Sequence, residues 1–171
     1  MLLYQNQNSR IELHEGLVIK TRPAPKFDPL HEDWLPTYNK LYEMNPYLVK
    51  VHEASSYRIV MEHLDILDHI ENLFKKDKNY PYLNKDLISD IIIALNSIWA
   101  DSMKLSRDLD GYFINNDLSL NNIVLTKNRE VKIIDPESFV LVPKLIHTEK
   151  YLMAQFNLNH HLQRYFLLKS D

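Results

Sequence analysis

Cysteine is absent from the 171 residues. Disulfides, thiolate metal sites and a cysteine nucleophile are therefore excluded. Glycine occurs only twice, so no glycine-rich phosphate loop can be built. No apolar run approaches the roughly 18–20 residues that a membrane-spanning helix needs. Positive charge is not in excess either, since the net charge is −3. A nucleic-acid binder would carry a basic stripe. The single basic run, Lys75, Lys76 and Lys78, reads as a solvated helix end. The opening MLLYQNQNSR turns polar too early for a signal peptide. A cytoplasmic protein that binds neither nucleic acid nor membrane is expected. Abundant Asn, Lys, Ile and Tyr fit an AT-rich genome, such as that of a virus, whose protein would act in a host cytoplasm, or of a small bacterium. No His-Glu-x-x-His, Gly-x-Ser-x-Gly or Walker lysine pattern is present.

What is present is a balanced globular composition, 45% hydrophobic and 25% charged. Arg10 to His14 alternates polar and apolar, as a half-buried strand does. Glu15-Gly16 reads as a turn and Leu17 to Lys20 as the next strand. Three prolines between Thr21 and Pro29 make a loop. A helix is expected from about Leu30 to Met44, ended by Asn45-Pro46. Strands follow at Leu48 to His52 and Tyr57 to Met61. Asp65 to Phe74 reads as a short helix. Lys85 to Leu105 is the clearest helix, with Leu87, Ile88, Ile91, Ile92, Leu95, Ile98 and Trp99 at spacings of three and four. Asn84 is placed to cap it. Ile123 to Leu125 and Val131 to Ile134 form a hairpin around Lys127 to Glu130. A last helix is expected at about Thr148 to Leu168. The order predicts an α+β chain of two parts, residues 1–64 and 65–171.

The segment Asn115-Asn116-Asp117-Leu118-Ser119-Leu120-Asn121-Asn122, followed by Ile123-Val124-Leu125, resembles the catalytic loop of protein kinases and of their small-molecule relatives, the aminoglycoside and choline kinases. Thirteen residues after Asn122, Ile133-Ile134-Asp135-Pro136-Glu137 resembles their metal-binding Asp motif. An Asp followed five residues later by an Asn is common by chance. The apolar triplet, the hairpin, the second apolar run and the second Asp in that order are not. Val18-Ile19-Lys20 resembles the strand whose lysine contacts the α- and β-phosphates. Tyr57 to Leu64 resembles the strand entering the hinge.

The resemblance spans roughly residues 2 to 139. It implies a bilobal protein-kinase-like fold, with a small β-rich N-lobe and a truncated helical C-lobe. It implies ATP as co-substrate, Mg²⁺ or Mn²⁺ as the metal, and transfer of the γ-phosphoryl group to a hydroxyl of a protein or small molecule. Asp117 would be the catalytic base. Asn122 and Asp135 would hold the metal, through the oxygen ligands that a hard cation prefers. Lys20 would hold phosphate, paired with Glu32 or, as second choice, Asp33. The backbone of Glu62 to Leu64 would bind adenine, and Asp68 the ribose. A homodimer is compatible with all of this.

The chain departs from the family's pattern in four places. Tyr4 to Ser9 stands where the glycine-rich loop belongs. Asn115 replaces the usual His, and Ser119 the Lys of protein kinases. Only 36 residues follow Asp135, so the long activation loop and the Ala-Pro-Glu motif are missing. Two other functions fit the same motifs: an inactive kinase fold used as a binding module, and nucleotidyl transfer to a protein.

Overall fold

Glu15 and Gly16 both adopt positive φ, 51° and 78°. A two-residue turn of this kind twists in the same sense as the strands it joins. It connects β2 (Arg10–His14) to β3 (Leu17–Thr21), which pair without a break from Arg10↔Thr21 to His14↔Leu17. The computed structural model describes residues 1–6, 9–22, 32–75 and 84–143. With β1 (Leu2–Gln5), β4 (Val51–Ala54) and β5 (Arg58–Glu62), these strands form an antiparallel sheet in the order β1-β2-β3-β5-β4. All five strands come from residues that precede Asp65.

Helix α1 (Trp34–Met44) lies between β3 and β4 in the chain and buries Trp34, Tyr38 and Leu41. Their spacing of four and three puts them on one face. Pro36 falls in the first turn, where its missing N–H removes no helical hydrogen bond. The expected start at Leu30 lies outside the described residues. Glu32 and Asp33 form an exposed turn ahead of the helix. The helix stops at Asn45, which is extended at φ −133° and ψ 110°, as a residue before proline prefers.

The expected helix at 65–74 is corrected. Ile66–His69 is a strand, β6, and only Ile70–Lys75 is helical, as α2. Asp68 sits at the switch, where its Oδ1 accepts from the His69 N–H at 2.9 Å and from Asn72 Nδ2 at 3.1 Å. Helix α3 (Lys85–Leu105) has the expected bounds, and Asn84 accepts from the Leu87 N–H at 2.9 Å.

Four more strands follow: β7 (Tyr112–Asn115), β8 (Ile123–Thr126), β9 (Val131–Ile133) and β10 (Phe139–Val142). They make two antiparallel sheets, β6-β8-β9 and β7-β10. The β8–β9 hairpin matches the sequence reading. β6, β7 and β10 are extra, so the second part of the chain is mixed helix and sheet among the described residues. The expected helix at 148–168 lies outside them.

One hydrophobic cluster joins both parts. Trp34, Tyr38 and Leu41 of α1 share it with Ile91 and Leu95 of α3, Phe113 of β7 and Phe139 of β10. Burying each such side chain contributes about 1.5–3 kcal/mol. Trp34 stacks on Tyr38 at 5.0 Å between ring centroids, and Phe139 meets Tyr38 edge-on at 5.7 Å. Trp34 Nε1 donates to the Phe139 carbonyl at 2.7 Å. Asn45, fully buried, donates from Nδ2 to Ser97 Oγ and to Asp101 Oδ2, both at 2.9 Å. It ties the end of α1 to α3. The Ile133 N–H donates to the Tyr47 carbonyl at 2.7 Å, fastening β9 to the same corner.

Candidate active site

Residues 115–122 close on themselves through their own side chains. Asn115 Oδ1 accepts from the Asp117 N–H at 2.9 Å. Asn122 Nδ2 donates to the Asp117 carbonyl at 2.8 Å and lies 3.5 Å from Asp117 Oδ2. The Asn122 N–H donates to the Ser119 carbonyl at 3.0 Å. This leaves Asp117 exposed at the crest of the loop. Short Asx side chains make such local bonds readily. The loop is anchored from below. Ser106 Oγ donates to the Ser102 carbonyl on α3 at 2.6 Å and accepts from the Phe113 N–H at 2.9 Å. That fixes where β7 leaves the helix and so where Asn115 begins the loop.

The Asp135 segment is pinned beside it. The Ile134 N–H donates to the Asn122 carbonyl at 2.9 Å, and the Asn116 N–H to the Ser138 carbonyl at 2.8 Å. Between these ties Asp135 is left-handed, at φ 67° and ψ 57°. Asp is one of the few non-glycine residues that tolerate this conformation. Pro136–Ser138 follows as a single 3-10 turn, with the Ser138 N–H donating to the Asp135 carbonyl at 3.0 Å.

A cluster of four charges forms where β3 crosses this turn. Lys20 Nζ contacts both Asp135 Oδ1 and Glu137 Oε1. Arg22 reaches the same Glu137 oxygen at 2.7 Å. Asp135 Oδ2 accepts from Ser138 Oγ at 3.2 Å. Lys20 and Asp135 are 115 residues apart in the chain. Burial pushes the Glu137 pKa up, but the Lys20 and Arg22 cations outweigh it and hold it below its ordinary value. Burial, and then the Glu137 charge, push Asp135 above its ordinary value against the pull of Lys20. Burial works against the Lys20 ammonium, yet the two carboxylates raise its pKa.

Asp117 and Asn122 are in direct contact, Asn122 is bonded to the residue before Asp135, and Asp135 contacts Lys20. The other expected site residues stand elsewhere. Lys20 pairs with Asp135 and Glu137, not with Glu32, because α1 starts at Trp34 and leaves Glu32 in the turn before it. The Glu62 N–H donates to the Lys50 carbonyl at 3.0 Å, and its Oε1 accepts from the Lys50 N–H at 2.7 Å. It therefore binds the residue just before β4. The Leu64 carbonyl accepts from the Ile66 N–H at 3.0 Å. Asp68 is engaged at the start of α2.

Glu137 and Arg22 were not assigned a role from sequence. A signal for each existed. Glu137 lies inside the quoted Asp135 motif. Arg22 is two residues beyond Lys20, the spacing that returns to the same face of a strand.

Among the described residues no three His, Asp or Glu side chains are gathered as a metal centre. The donors at Asn122 and Asp135 nevertheless suit a hard cation. Asn122 turns its Nδ2 toward Asp117, which leaves its Oδ1, the atom able to ligate a cation, out of that bond. Mg²⁺ is ordinarily held by one or two protein oxygens, with nucleotide phosphates and water completing its shell. No protein-family model matches the chain, and no curated protein matches it.

Proposed function

We propose that this chain is an ATP-dependent phosphotransferase of the protein-kinase-like type, with a bilobal arrangement of the two parts described above. One observation carries the reading. The four residues singled out by the motif pattern, Lys20, Asp117, Asn122 and Asp135, fall in two contacting pairs, Lys20 with Asp135 and Asn122 with Asp117, joined by the Ile134 N–H on the Asn122 carbonyl, although Lys20 and Asp135 are 115 residues apart. A chance Asp-Pro-Glu after the hairpin would have no reason to meet a lysine of the five-stranded sheet beside the Asp117–Asn122 loop.

In this reading Lys20 binds phosphate oxygens and Asp117 accepts the proton of the acceptor hydroxyl. Its exposure leaves room for that acceptor, on a protein or a small molecule. Asn122 and Asp135 hold Mg²⁺ or Mn²⁺, which neutralises charge developing on the transferred phosphoryl group. The fixed loop supplies orientation, the main contribution a protein makes to phosphoryl transfer.

A binding module without catalysis is the second reading. The observation favouring it is the Lys20 ammonium, which two carboxylates occupy. Mass spectrometry after incubation with Mg²⁺-ATP separates the readings. A phosphotransferase adds phosphate to itself or to a supplied acceptor. A nucleotidyl transferase adds AMP, and a binding module adds neither. Absence of any adduct, together with no ATP consumption, overturns the proposal.

A further inference from the structure

We infer that Glu137 is the carboxylate that positions Lys20 for the nucleotide's phosphates, in place of any acid of the α1 segment. The inference rests on the phosphotransferase reading and deepens it.

The first turn of α1 carries no acidic residue, and the only acid within the helix is Glu43, which is exposed in its last turn. Lys20 instead meets two carboxylates from one turn. They are not equivalent. The Glu137 side chain is 6% exposed and that of Asp135 25%. Glu137 uses one oxygen for both Lys20 and Arg22, so it is held by two cations. Among the described residues Asp135 is paired with Lys20, and its other oxygen accepts from Ser138.

The mount of Glu137 is rigid. It is the middle residue of the Pro136–Ser138 turn. Asn122 ties down the residue before Asp135, Asn116 bonds to Ser138, and Trp34 bonds to Phe139. A carboxylate so fixed gives a long, flexible lysine one defined end point. Lysine has three donors. In the proposed reaction Asp135 would help hold the cation, and Lys20 would offer a remaining donor to phosphate. Glu137 then retains its own contact and keeps Lys20 aimed.

The test is a double-mutant cycle on Mg²⁺-ATP affinity, measured by isothermal titration with folding checked by circular dichroism. Glu137→Gln is expected to weaken affinity about ten-fold or more, the size of a charge-assisted hydrogen bond. Glu32→Gln is expected to stay within about two-fold of wild type. In a Lys20→Met background, Glu137→Gln is expected to cause no further loss, because its effect runs through Lys20. A purely structural role would give additive losses and overturn the inference. So would a Glu137→Gln protein that binds as wild type does, or a Glu32→Gln protein that loses as much. If Glu137→Gln fails to fold, Glu137→Asp takes its place in the same cycle; it keeps the charge and shortens the reach by one methylene. Wild type that binds no Mg²⁺-ATP overturns the phosphotransferase reading and this inference together. Wild-type binding with an unaffected Glu137 variant overturns the inference alone.

Discussion

Asn122 holds Asp117 from five residues away, its Nδ2 donating to the Asp117 carbonyl at 2.8 Å. The bond fixes the backbone of Asp117 and leaves the carboxylate exposed. Structure and chemistry can therefore be separated at this position. Asp117→Ala is expected to retain the fold and ATP affinity. Phosphate transfer should fall by about 10²–10⁴, the usual contribution of a positioned acid–base group. Single-turnover transfer from labelled ATP to the protein or a supplied acceptor measures it. Wild-type rates in the mutant would remove Asp117 from the mechanism.

Mg²⁺-ATP is expected to raise the melting temperature. A ligand present at about 100 times its Kd adds about 2.7 kcal/mol to a protein whose unfolded state does not bind it. At roughly 2–4 °C per kcal/mol for a chain of this size, the shift is about 5–10 °C. Asp135→Asn should remove the part of the shift that depends on Mg²⁺. Thermal melts with ATP, in Mg²⁺ and in EDTA, measure both parts.

Asn45→Ala tests the corner that joins α1 to α3. The variant loses bonds to Ser97 and Asp101 and leaves the Tyr47 N–H without its side-chain acceptor. A hydrogen bond to a charged group contributes about 1.5–3 kcal/mol, and the expected destabilisation is of that order. Urea unfolding should show a lower midpoint with an unchanged slope.

Alkaline stability follows from two groups. Burial, and next the Glu62 carboxylate, raise the Tyr38 pKa well above 10.0, and Lys20 is raised above 10.5. In the unfolded chain both groups lose their protons near the ordinary values, while in the folded chain both keep them. Their stabilisation is thus complete below about pH 10 and is lost as pH rises through the folded values. Stability should fall above pH 10. Tyr38→Phe should make that decline shallower, while losing the bond from Tyr38 Oη to the Val49 carbonyl. Urea midpoints at pH 8, 10 and 11 measure it, and parallel declines in wild type and Tyr38→Phe would show that Tyr38 is not protected.

Local signals in the sequence were sufficient for some elements and not for others. α3 could be read because its apolar period and its Asn84 cap lie within one segment. The β2–β3 and β8–β9 hairpins could be read because each pairs across a short turn. β6 could not. Ile66 to His69 pairs with β8, more than 50 residues later, and nothing nearby marks it as extended. β7 and β10 pair with each other across α-free chain of similar brevity in each strand, Tyr112–Asn115 against Phe139–Val142. Neither run alternates polar with apolar.

The candidate site divides in the same way. Lys20, Asp117, Asn122 and Asp135 could be singled out because motif order survives in one dimension. The partner of Lys20 was not, since it depends on how β3 crosses the turn at Glu137. Glu32 was chosen on the expectation of a helix starting at Leu30. With α1 starting at Trp34, that carboxylate precedes the first helical turn.

The left-handed backbone of Asp135 limits which substitutions can be interpreted there. Alanine at this position would add a conformational penalty of about 1–2 kcal/mol to the loss of the carboxylate, and an alanine scan would report the two as one number. Asparagine tolerates the same backbone and is nearly the same size. It removes the charge and little else. Glycine does the reverse of a probe for charge alone, relaxing the backbone while deleting the side chain. Position 135 therefore favours Asp, Asn and Gly, and a deep mutational scan would show the other residues carrying that added penalty whatever their effect on catalysis.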